Sequence, residues 1–150
     1  MDYTTTYRLF GSGTGICFEI ARAYSYLLMQ VGVDATTVMG GGHEWNYVRI
    51  NGFNYHVDPT FAIDSGSSLA YFMMTDEQRE ETGYVRDGFI FICNYSQNHP
   101  HPEYTADDDT FEPLWERQLD ALFLRENILR CWQYTEGWEK SYFDFDYTGY

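Results

Sequence analysis

Three side chains in this 150-residue sequence have types and surroundings suited to nucleophilic catalysis: Cys17, His43 and Asp58. A thiolate attacks an electrophilic carbon, an imidazole moves the proton, and a carboxylate fixes the imidazole tautomer and stabilises the imidazolium. Such a set needs no metal and no cofactor. Whether it forms a site depends on the elements that carry it.

Cys17 follows a glycine-rich turn, Gly13-Thr14-Gly15-Ile16. Behind it Ile20, Tyr24, Leu27, Leu28 and Val31 recur at helical spacing, and Gly32 stands where a helix C′ glycine belongs, with Val33 next for the accompanying apolar contact. Cys17 is therefore expected in the first turn of a helix, among unpaired N–H groups and the positive end of the dipole. Such a place favours a thiolate. Position alone leaves inert packing equally open. Of the other two cysteines, Cys93 lies in the apolar run Phe89–Cys93 and Cys131 in an alternating stretch, so both suit buried packing. An odd count of cysteines is no disulfide framework.

The strongest local signal is a hairpin. His43–Ile50 and Phe53–Asp58 flank Asn51-Gly52, the preferred type I′ pair. A two-residue turn fixes the register: Ile50 opposite Phe53, Val48 opposite Tyr55, Asn46 opposite Val57, Trp45 opposite Asp58. Alternation gives a mostly apolar face, Asn46, Val48, Ile50, Phe53, Tyr55 and Val57. The other face carries His43, Trp45, Tyr47, Arg49, Asn54, His56 and Asp58. His43 and Asp58 are then diagonal neighbours about 7–8 Å apart at the backbone, within side-chain reach. Spacing does not bring Cys17 to His43; that requires the helix to pack on this sheet.

Composition narrows the partners. Lys plus Arg number 9 against 23 Asp plus Glu, a net charge of −14 that repels nucleic acid and anionic lipid surfaces. No apolar run approaches the roughly 20 residues of a spanning helix, so no membrane insertion is expected. Gly11-Ser12-Gly13-Thr14-Gly15 superficially suits a nucleotide loop, but the third glycine of a dinucleotide fingerprint falls on Ile16 and no Gly-Lys-Ser/Thr follows.

Along the chain, residues 1–10 suit a short strand or extended lead-in, and Ala35–Met39 a strand closed by Gly40-Gly41-Gly42. Thr75-Asp76-Glu77-Gln78 is a capping box for a short helix that Gly83 can stop. Phe89–Cys93 suits a buried strand, and residues 96–110 an exposed loop. In that loop His99 and His101 with Asp107–Asp109 could bind metal, though a flexible acidic loop explains them more simply. Trp115, Leu119, Leu122 and Phe123 suggest one amphipathic helix, and Ile128–Tyr134 with Ser141–Tyr147 a pair of strands. The expected organisation is a core over residues 1–105 and an extension over 106–150, a helix plus β-hairpin belonging to a longer protein.

Gly13–Ala21, then His43–Val48, then Tyr55–Phe61, resemble the three motifs of the bacterial transglutaminase-like superfamily, and Tyr71–Asp76 is similar to a segment that follows them. The resemblance covers roughly residues 5–85. It implies an α+β fold with a papain-like core, a cysteine-bearing helix packed on an antiparallel sheet. It assigns Cys17 as nucleophile, His43 as general base and Asp58 as orienting acid. Gly42 and Trp45, which flank the base in the sequence, are expected to line the cleft and contact substrate. Family members have helical sequence well upstream that supplies part of the oxyanion hole. Only sixteen residues precede Cys17 here, so a truncated chain or another donor is expected. The Cys17 backbone N–H remains available for the oxyanion.

The resemblance implies a cysteine-dependent acyl-transfer enzyme that hydrolyses amide or peptide bonds in a protein or cell-wall peptide, in an extracellular or cell-surface bacterial setting. Protein-glutamine transamidation and a catalytically silent binding domain are the alternatives. An Asp58→Asn change is expected to leave the fold intact and lower turnover.

Overall fold

The computed structural model describes residues 4–94, 105–115 and 120–148. Its architecture is α+β, built on antiparallel sheets. Helix α1 (Thr4–Ser12) leads into α2 (Cys17–Gln30), and three strands then follow: β1 (Asp34–Gly40), β2 (His43–Ile50) and β3 (Phe53–Val57). Both connections are two-residue turns with positive φ at each position, Gly41-Gly42 at 57° and 80° and Asn51-Gly52 at 51° and 88°. That is type I′ chemistry, and it holds the register to Val48 opposite Tyr55 and Asn46 opposite Val57, as the turn spacing requires. Strand β4 (Ile90–Asn94) adds to the far side of β1, giving the order β3-β2-β1-β4.

Helix α2 begins at Cys17. Glu19 accepts from the Ile16 N–H at 3.0 Å. At the other end Gly32, at φ 81°, closes a Schellman motif: its N–H donates to Met29 C=O and the Val33 N–H to Leu28 C=O. The helix lies on the face of the hairpin that carries Asn46, Val48, Tyr55 and Val57, where Tyr24 and Leu28 pack on Ala35, Val48, Tyr55, Val57 and Met73. Each such buried apolar side chain contributes roughly 1.5–3 kcal/mol. Asn46, wholly buried on β2, ties the two together by donating to Ala21 C=O and Ser25 Oγ, both at 2.7 Å.

The opposite face, with Trp45, Tyr47 and His56, is also covered. Trp45, Tyr47 and Val38 pack with Ala106, Tyr84, Phe89 and Phe91. Residues 71–74 run beside β3, with paired hydrogen bonds between His56 and Met74. Helix α3 (Pro59–Ser65) starts directly after β3, and α4 (Asp76–Glu81) carries the expected capping box, Thr75 N–H to Gln78 Oε1 at 2.8 Å and Gln78 N–H to Thr75 Oγ1 at 3.1 Å.

Four expectations change. The first ten residues were expected extended; residues 4–12 form α1, which docks on α2, and a Cβ on Gly15 would lie 2.7 Å from Leu9 Cδ1. That close approach outweighs the strand preference of Thr and Tyr, which is worth under about 1 kcal/mol per residue. Phe89–Cys93 was expected to be a buried strand, but β4 is an edge strand, with Ile90 exposed. Residues 105–110 are partly packed: Thr105, Asp107 and Asp109 are exposed as expected, but Ala106 is buried, its N–H donates to Asp76 Oδ2, and Tyr55 Oη donates to Asp108. Residues 96–104, with His99 and His101, lie outside the described residues.

The fourth concerns the C-terminal third. In place of one long helix there is a single turn, α5 (Glu112–Trp115), and a strand, β5 (Asp120–Arg125). A register shift between Ala121 and Phe123 inserts an extra residue, which mimics helical spacing in the sequence. With β6 (Ile128–Tyr134) and β7 (Lys140–Asp146) it forms a second antiparallel sheet, β5-β6-β7. Cys131 and Phe145 pack there against Leu69 and Leu114.

Candidate active site

His43 opens β2 immediately after the Gly41-Gly42 turn, and Asp58 is the residue at which β3 ends and α3 begins. The register brings them to one side, and His43 Nε2 lies 2.7 Å from Asp58 Oδ2. Asp58 is wholly buried, and its other oxygen caps α3 by accepting the Phe61 N–H at 3.1 Å. Phe61 stacks on the imidazole, with ring centroids 4.5 Å apart and planes 9° from parallel. Two contacts thus fix the ring. Nε2 is committed to the carboxylate, which leaves Nδ1 as the nitrogen that can exchange a proton with a nucleophile.

Cys17 is the first residue of α2 and is partly exposed. It shares a cavity of about 410 Å³ with His43, Gly42, Phe18, Met39 and the Arg22–Glu44 ion pair. The helix is held there by Asn46 and by Arg22 Nε donating to Glu44 Oε1 at 3.1 Å. Cys17 also lies within electrostatic reach of the Tyr84 hydroxyl, whose ring is 5.7 Å from that of His43. Thus Cys17, His43 and Gly42 line one cavity, with Asp58 directly behind the imidazole. The thiol of Cys131 is unlike this: burial pushes it up to about 11. Cys93 lies in β4, and its side chain lies outside those described.

Trp45 departs from its expected role. It was placed on the cleft wall, yet it is wholly buried and touches no solvent. Its indole N–H donates to His56 Nδ1 at 2.9 Å, and its ring carries the Arg79 guanidinium 4.2 Å above its centroid. Gly42 is exposed at the cavity rim.

Arg79 was missed in the sequence. It projects from α4, is wholly buried, and donates from Nη2 to Asp58 Oδ2 at 2.8 Å, the oxygen that also binds His43. The Tyr84 ring also lies against it, at 4.3 Å. Burial pulls the guanidinium below its ordinary range, and Asp58 opposes that shift. Burial likewise raises the Tyr84 hydroxyl, which stays protonated. The one available signal was a single arginine inside the acidic helix Asp76-Glu77-Gln78-Arg79-Glu80-Glu81.

His56, expected on a polar surface, is wholly buried as well. Because the indole is a donor only, Nδ1 must be unprotonated, so Nε2 carries the proton and donates to Asp76 Oδ1 at 2.8 Å. Arg86 and the Ala106 N–H bind the other Asp76 oxygen. Burial raises Asp76, but these hydrogen bonds outweigh it and hold the carboxyl below its usual range. Burial lowers the His56 imidazole below 6.5, with Asp76 opposing. The unfolded chain therefore binds the extra proton first, and stability present above pH 6.5 is lost as the pH falls below it. Melting temperature should fall between pH 7.5 and 5.5, and His56→Asn should flatten that dependence; an equal slope in the variant would place the titration elsewhere.

Among the described residues no group of three or more His, Cys, Asp or Glu side chains converges as a metal site, and no helix is long and apolar enough to cross a membrane. Set against known protein families, characterised proteins and solved structures, the chain matches none.

Proposed function

We propose that this chain is a cysteine-dependent acyl-transfer domain of the transglutaminase-like type, with a papain-like core, that hydrolyses amide bonds in proteins or peptides. The observation that carries this reading is the commitment of His43 Nε2 to Asp58, which leaves Nδ1 for proton exchange on a residue that lines one cavity with Cys17.

In this scheme the Cys17 thiol gives its proton to His43 Nδ1, and the sulfur forms a bond to the substrate carbonyl carbon. The tetrahedral oxyanion is met by the Cys17 backbone N–H at the start of α2. Collapse breaks the C–N bond, and the leaving amine takes the proton back from Nδ1. The thioester is then opened by water, which gives one proton to Nδ1 and releases the acid and the thiol. Asp58 remains ionised throughout and stabilises the imidazolium.

Transamidation would need an amine held at the thioester with water kept out. The large acidic cavity, about 530 Å³ and lined by Asp76, Glu77, Glu81, Asp107, Asp109 and Glu112, shares no residue with the Cys17 cavity. Within the latter, Glu44 is already paired with Arg22. Hydrolysis is therefore the expected outcome. Mass spectrometry of a glutamine- and amide-bearing peptide incubated with excess primary amine should show free acid as the main product. Predominant amine adducts would reassign the reaction to transamidation, and no turnover of any peptide would favour a binding domain.

A further inference from the structure

We propose that Arg79 is the positioning residue of this site: a buried guanidinium that keeps the Asp58 carboxylate ionised and aimed at His43 Nε2. The role rests on the acyl-transfer reading above.

Asp58 is wholly buried, and the rings of Phe61, Trp45 and Tyr84 lie against both of its partners, His43 and Arg79. A carboxylate removed from water reverts to the neutral acid unless an opposite charge is at hand. A neutral acid could not stabilise the imidazolium on which proton transfer depends. Arg79 Nη2 and His43 Nε2 approach the same oxygen, at 2.8 and 2.7 Å, so the cation sets both the charge and the direction of that oxygen.

The way Arg79 is held argues against a simple packing role. Nε and Nη1 find no hydrogen-bond partner among the described residues, although the side chain is wholly buried. The guanidinium lies instead against the Trp45 ring at 4.2 Å and the Tyr84 ring at 4.3 Å. Trp45 is itself anchored by His56. Asp58 is thus the single hydrogen-bonded partner of this cation among the described residues, and an apolar side chain would fill the core at lower cost if that carboxylate were not to be served. A lysine keeps the charge but has no plane to lie against these rings.

The test is alkylation of Cys17 by iodoacetamide, followed by peptide mapping at pH 6 and pH 9, with folding checked by circular dichroism. This needs no substrate. At pH 9 bulk base ionises the thiol, whereas at pH 6 ionisation depends on the imidazole. Arg79→Met should lower the pH 6 rate by about tenfold, the effect of one pK unit, with little change at pH 9. Arg79→Lys should recover most of the pH 6 rate. In an Asp58→Asn background, adding Arg79→Met should leave the ratio of the two rates unchanged. That double variant carries no buried charge from the pair, so the comparison survives if Arg79→Met does not fold. An unaltered ratio in Arg79→Met, no recovery with lysine, or the same tenfold drop in the Asp58→Asn background would each overturn the role. If the parent labels Cys17 at pH 6 no faster than Cys131, the acyl-transfer reading falls and this role with it.

Discussion

Asp58→Asn should lower turnover by roughly 10³–10⁴-fold and also destabilise the fold, a double loss that the sequence did not foretell. The kinetic part follows from tautomers. An asparagine amide can donate to Nε2, and the imidazole then carries its proton on Nδ1, the nitrogen that must accept from Cys17. The stability part follows from Arg79. With Asp58 neutral, a wholly buried guanidinium has lost its single hydrogen-bonded partner among the described residues, and breaking a buried pair from one side costs about 3–5 kcal/mol. The helix cap survives, because asparagine also accepts the Phe61 N–H. Urea unfolding and turnover measured on the same preparation separate the two effects. A variant that is stable but inactive would remove Arg79 from the account, and one that retains activity would remove the triad.

Cys17→Ala should have the opposite profile. Turnover falls by a factor on the order of 10⁵–10⁶, the loss expected when a covalent nucleophile is deleted. Stability changes by no more than about 0.5 kcal/mol. Cys17 is partly exposed, its thiol makes no hydrogen bond among the described residues, and alanine is the better helix former. Melting curves that overlay, together with complete loss of product, are the expected pair of results. Residual turnover above a hundredth of the parent rate would exclude a thioester on this sulfur.

The parts legible in the sequence are those set by local chemistry. Asn51-Gly52 dictated a turn type, the turn dictated a register, and the register placed His43 with Asp58. The Thr75–Gln78 box and Gly32 marked helix ends for the same reason: each is a hydrogen-bond requirement met within a few residues. What stayed hidden depends on neighbours far along the chain. Alternation correctly separated the two faces of the hairpin but could not say that both would be covered. His56 and Trp45 looked solvent-facing because their partners, Asp76 and Arg79, come some twenty or more residues later. The strand at Asp120–Arg125 was masked by its own irregularity, since an inserted residue breaks the two-residue period.

Asn46 holding α2 to the sheet, His43 meeting Asp58 and Arg79 meeting Asp58 close chain separations of 25, 15 and 21 residues. The entropy of closing a loop grows only slowly with its length, and contacts between near neighbours in sequence form fastest. Cys17, Gly42, His43, Asp58, Arg79 and Tyr84 all precede the second sheet in the order of synthesis. A growing chain therefore carries the proposed catalytic set before β5, β6 and β7 exist. On the proposed role of Arg79, reactivity would depend on the docking of α4 against Asp58 rather than on the last strand.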